Sequence, residues 1–171
     1  MTSEPFSMKF MVTLFAVACS VLNSAGDARR DERADLFVGC YNLELGRWTK
    51  LWLFPATPAV HQIPPVAFQL DRTPVDQREP DRLQIRPNRL INGKASRLDS
   101  WILAPDGSNA VYITWTDGFT GVSLHLKPER TGKRLEGAAT AFTDARGFLP
   151  FPSARAVAVR TICASIPAPT K

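Results

Sequence analysis

Residues 110–127 read Ala-Val-Tyr-Ile-Thr-Trp-Thr-Asp-Gly-Phe-Thr-Gly-Val-Ser-Leu-His-Leu-Lys, two runs of apolar and polar alternation separated by Asp117-Gly118. A period of two puts successive side chains on opposite faces of an extended chain. Val111, Ile113 and Trp115 therefore share one face of the first run, and Val122, Leu124 and Leu126 share one face of the second. Both faces can cover a single apolar core, and the Asp-Gly between them predicts a β-hairpin. The Phe119-Thr120-Gly121 that follows points to a longer loop or a bulge rather than a two-residue turn. This hairpin constrains the fold class and leaves the function open.

The rest of the chain repeats the pattern in shorter pieces. Tyr41, Leu43 and Leu45 alternate with polar residues, as do Val66, Phe68 and Leu70, then, after a Pro- and Asp-containing connection, Leu83 and Ile85, then Trp101 and Leu103 in a strand from Arg97 to Leu103. Residues 135–142 form a strand rich in Gly137, Ala138, Ala139 and Ala141, and residues 154–163 supply the last strand. Residues 55–65 carry too many prolines for a central strand and read as a long stiff loop, while residues 90–93 fit no element clearly. No stretch sustains a helical period. About eight short strands punctuated by turns predict an all-β fold, either a barrel or a sandwich.

The cysteines bear on that choice and on the compartment. The start of the chain has a short polar lead, Lys9, and an apolar run of roughly a dozen residues from Phe10 to Leu22, which suits a signal peptide and falls short of the ~20 residues of a membrane span. Met8 is an alternative start. Small residues at Ser24, Ala25, Gly26 and Ala28 suit ordinary cleavage, whereas Ala16-Val17-Ala18-Cys19 is similar to a lipoprotein cleavage site that would leave Cys19 lipidated and the chain anchored to the envelope. Both routes predict an exported protein, periplasmic or extracellular. The expected organisation is a signal segment at residues 1–28, a charged tether at 29–35, one β-domain at 36–165 and a disordered tail at 166–171.

With Cys19 set aside, Cys40 and Cys163 remain at opposite ends of the domain, an even pair expected to form a disulfide in an oxidising compartment. A bond between first and last strands makes them neighbours. The predicted fold is therefore a single antiparallel up-and-down barrel of about eight strands, which also removes both sheet edges. Phase creates one difficulty: Cys40 alternates out of step with Tyr41 and Leu43, while Cys163 is in step with Val157 and Val159. A bulge, or Cys40 just ahead of the strand, would reconcile them.

The chain carries 21 basic and 16 acidic residues, a mild excess whose densest part, Arg72 to Arg97, is interleaved with acids. That pattern argues against nucleic acid as a partner. The two histidines, His61 and His125, are far apart in sequence, and no metal-ligand spacing, cofactor motif, phosphate loop or nucleophile elbow is present. Asp81, Asp99, Asp117 and Asp144 are acid–base candidates only in principle, since each reads as a turn or polar-face residue. A non-enzymatic role is the preferred reading, with a hydrolase on a β-scaffold retained as a third one.

The aromatic residues are more suggestive. Trp has a large apolar body and one N–H that seeks a partner, so Trp52, Phe68, Trp101 and Trp115 are candidate lining residues for a small apolar or amphipathic ligand inside the barrel, with residues 55–65 as a lid. Gly46-Arg47-Trp48 beside the first strand resembles the Gly-x-Trp signature of lipocalins. Residues 143–147, Thr-Asp-Ala-Arg-Gly, approximate their second signature without its Tyr, and the lack of a long C-terminal helix is closer to the related avidin-type barrels. The resemblance implies a calycin-type barrel with an interior ligand. The Gly39-Cys40-Tyr41, Trp-Thr-Asp-Gly-Phe-Thr-Gly and closing Cys pattern is also similar to uncharacterised exported bacterial proteins, which implies no function. A solid-cored module that grips a partner through loop residues Phe119, Phe148 or Phe151 is the alternative expectation.

Overall fold

The structure, a computed structural model, describes residues 32–49, 64–87, 90–91, 94–143 and 151–163. The chain divides into two compact units, residues 1–35 and 36–171. In the first, residues 32–35 form one helical turn; the signal segment, Cys19 and the start of the tether lie outside the described residues.

The second unit is built from β1 (Gly39–Leu45), β2 (Ala67–Asp76), β3 (Glu79–Arg86), β4 (Leu90–Ile91), β5 (Lys94–Ala95), β6 (Ser100–Leu103), β7 (Val111–Thr116), β8 (Thr120–Pro128), β9 (Arg134–Thr143) and β10 (Ser153–Thr161). Eight of these close a barrel in the order β1-β10-β9-β8-β7-β6-β3-β2, and β4 pairs with β5 as a separate small hairpin. Each barrel strand is antiparallel to its neighbours, and closure comes from β1 meeting β10 along six consecutive pairs from Cys40↔Thr161 to Leu45↔Ala156. The expected up-and-down barrel is what the chain forms.

The β7–β8 hairpin has the predicted faces. Val111, Ile113, Trp115, Leu124 and Leu126 are fully buried and Val122 nearly so. Its connection is three residues, 117–119, with Gly118 at φ +101°, where a side chain would be strained. Asp117 organises the turn by accepting bonds from the N–H groups of Phe119 (2.9 Å) and Thr120 (2.8 Å), so the sequence signal for a turn longer than two residues has a direct cause.

The phase problem of the cysteines resolves in the last strand. Ala154, Ala156 and Ala158 of β10 face inward, whereas Val157 is half-buried and Val159 exposed. Cys163 is in step with those outward valines, and Cys40 pairs with Thr161 on the same outer face. The two cysteines therefore meet on the outside of the barrel, Cα atoms 5.2 Å apart, with Cys40 inside β1 and no register shift between the strands. Apolar character misled the reading because both valine and alanine are hydrophobic, so the pattern of apolar letters does not say which of the two faces turns in. The disulfide is consistent with an exported protein.

Two further departures concern β2 and β6. The second strand does not stop near Leu70 but continues through Pro74 to Asp76, with register shifts on both sides of Pro74. A proline lacks a ladder donor, so the strand tolerates it only where the pairing is already broken. β6 begins at Ser100 rather than at residue 97. In β9, a Cβ on Gly137 would stand 1.9 Å from the His125 carbonyl oxygen, so only glycine lets β8 and β9 approach there.

Replacing Cys40 and Cys163 together by alanine should lower unfolding free energy by about 4 kcal/mol, the scale for a cross-link spanning 123 positions. Urea unfolding checks this, and reductant should weaken the native protein but leave the double variant unchanged. Gly137→Ala should cost at least about 2 kcal/mol by the same measurement, because backbone rather than a flexible side chain must yield.

Candidate functional site

Closure of the sheet creates an interior lined by both large and small side chains. Tyr41 from β1, Phe68 from β2, Trp101 from β6 and Trp115 from β7 point inward and are buried almost completely, and because β1 stands opposite β7 these rings span the interior. Tyr41 stacks on Phe68 with ring centroids 5.5 Å apart and planes at 23°. Phe68 in turn meets Trp115 edge-on at 5.5 Å and 75°. Because β2 and β7 are not neighbours in the barrel, this last contact reaches across the interior. Offset and edge-to-face pairs of this kind set the negative ring face against the positive ring edge.

Small residues concentrate in a wall on β9 and β10, where Ala139 pairs with Ala154 and the buried Ala156 and Ala158 continue the row, the larger Leu135 lying opposite Ala158. The barrel order puts β10 across from β6 and β9 across from β3, so the small wall faces the side that bears Trp101.

The two tryptophan N–H groups are in different situations. Trp101 Nε1 donates to the Asp71 carbonyl oxygen at 2.9 Å. That carbonyl lies in the register shift between Leu70 and Pro74, so the bulge that accommodates the proline also frees an acceptor for the indole. Trp115 Nε1 is buried and has no hydrogen-bond partner among the described residues. A buried donor left unpaired costs about 1 to 3 kcal/mol, which marks this position as incomplete.

One end of the barrel is stoppered. Arg160 pairs with Tyr41 on the inward face, and its Nη2 donates to the Tyr41 hydroxyl at 3.0 Å and to the Leu36 carbonyl at 2.7 Å. Its guanidinium also lies 5.5 Å from the Tyr41 ring centroid. The Tyr41 hydroxyl donates to the Phe37 carbonyl at 2.7 Å. At this end β2–β3, β6–β7 and β8–β9 are joined by short connections. The opposite end carries residues 46–66, 87–99 and 144–152, the three long ones.

Of the expected ligand-lining residues, Phe68, Trp101 and Trp115 converge in one interior, and Trp52 lies outside the described residues, as do His61, most of the proposed lid at 55–63, Asp144 and Phe148. Tyr41 belongs to the same interior aromatic cluster although it was not among the sequence candidates; its alternation with Leu43 was the available signal. His125 sits on the outer face, half-buried, stacked on Tyr112 with centroids 4.5 Å apart and planes 6° from parallel. Asp99 departs from the expectation of a turn or polar-face residue: it is buried and accepts the Thr116 N–H at 3.1 Å, anchoring the end of β7. Asp117 is taken up by its turn, and Asp81 is exposed. No group of three or more metal-ligating side chains occurs among the described residues.

Burial pushes the Tyr41 phenol above its ordinary value, and the charge and hydrogen bond of Arg160 only partly offset this. The folded protein thus holds that proton more tightly than the unfolded chain, so the stabilisation is complete below about pH 10 and is lost as pH rises through the folded-state value. In a Tyr112→Phe variant, which leaves Tyr41 as the sole tyrosine, phenol ionisation followed by ultraviolet absorbance should have its midpoint above about 10. Adding Arg160→Met should move it higher still.

No protein-family model, curated protein or solved structure matches the chain.

Proposed function

We propose that the protein is an exported carrier or sensor that binds one small apolar or amphipathic ligand inside its barrel. The observation that carries this reading is the unequal lining of the interior, buried rings from β1, β2, β6 and β7 against a row of alanines on β9 and β10. A closed barrel of eight strands is the size that side chains can just fill or that can hold one small ligand. The alanines of β9 and β10 keep that part of the lining low, and flat rings grip an apolar body with little loss of side-chain freedom. Entry is from the end with the long connections, because the other is held by Arg160, Tyr41 and Phe37. The weak likeness to calycin barrels agrees with such a role, and the disulfide suits the periplasmic or extracellular setting in which the ligand would be met.

A second reading, a solid-cored interaction module, is favoured by Phe119, which is 71% exposed at the tip of the β7–β8 turn. An exposed ring on a turn held by Asp117 is a rigid apolar contact for a partner.

Titration of the full chain with a lipophilic fluorescent probe, followed by intrinsic tryptophan emission, separates the two. The carrier reading expects saturable quenching at one site per chain, with affinity reduced about tenfold or more by Ala156→Leu, which fills the small wall. Quenching that is absent, or unaffected by Ala156→Leu and abolished by Phe119→Ser, supports the surface reading instead.

A further inference from the structure

We infer that the interior ligand carries a hydrogen-bond acceptor on an otherwise apolar body, and that Trp115 is the residue that recognises it. This rests on the interior-ligand reading above and adds the chemical class. Trp115 is fully buried on the inward face of β7, and its Nε1 is a donor with no acceptor among the described residues. The contrast with Trp101 is informative: there the fold supplies a backbone carbonyl, through the bulge at Pro74, to satisfy the same group.

The surroundings of Trp115 select among ways of completing it. Val122 is its cross-strand partner, Ile113 and Leu124 are the next inward residues along the hairpin, and Phe68 presents its ring across the interior. All are apolar. A bound water needs about three hydrogen-bonding partners, and these side chains offer it none beyond the indole. An acceptor joined to a hydrocarbon body needs only the one donor and brings apolar surface to the rest of the lining. A ketone, ester or other neutral carbonyl compound has this form. A carboxylate does not fit as well, since the described inward lining around Trp115 provides no cation to accompany a buried charge.

The test uses the full chain with isotope-labelled tryptophan and a matched pair of probes, 2-undecanone and undecane. The Trp115 indole N–H resonance is identified as the signal missing from Trp115→Phe, a change that keeps an aromatic ring and deletes the donor. The ketone should shift this resonance while leaving that of Trp101 in place, and undecane should not shift it through hydrogen bonding. Ketone affinity should exceed alkane affinity by about fivefold to tenfold, and Trp115→Phe should abolish that preference while the alkane still binds. If both probes bind equally and the Trp115 resonance responds to neither, the acceptor inference fails and the carrier reading stands. If neither probe binds, the carrier reading itself fails. The resonance shift in the native chain decides the matter even if the variant does not fold.

Discussion

The pairing of β1 with β10 is the contact on which everything else depends. Without it the remaining strands form an open sheet with two bare edges and no inside. Six consecutive residue pairs make the join, and a disulfide on its outer surface holds the two strands together without occupying interior volume. The inner side of the same join carries Tyr41 against Arg160 and Leu43 against Ala158. A single seam thus supplies a covalent tie outside, a polar plug at one end and part of the apolar lining within.

The seam also shows how far the sequence could be read. Strand count, antiparallel order, closure and the cysteine pairing were all legible, because alternation and turn residues act locally and the cysteines report a long-range neighbour directly. The inward face of β10 was not. Alanine and valine differ little in a pattern of apolar and polar letters, and only the opposing side chains decide which face is turned in. The same limit applied to Pro74, which the sequence places in a connection after Leu70 and which lies within β2. A bulge there depends on the pairing of β2 with β3, which no local signal encodes.

For the candidate site, the identity of the inward aromatics was readable and their satisfaction was not. Trp101 and Trp115 looked equivalent, each in step with an apolar face. Only the fold distinguishes an indole that meets the Asp71 carbonyl from one that meets hydrocarbon. Asp99 is the converse, an acid expected beside a turn or on a polar face, yet buried and accepting the Thr116 N–H at the end of β7. In each case the deciding group is a backbone atom from a distant strand, which composition and spacing do not reveal.

The placement of all three long connections at the end away from the Arg160 plug separates two kinds of evolutionary freedom. The residues that make the disulfide and the Arg160 plug all lie outside the connections at 46–66, 87–99 and 144–152, so changes in length within these connections leave both intact. Loop length is thermodynamically cheap, so such changes cost little in stability. The barrel can therefore acquire a new rim, and with it a new selectivity for what enters, while the machinery that keeps it closed stays constant.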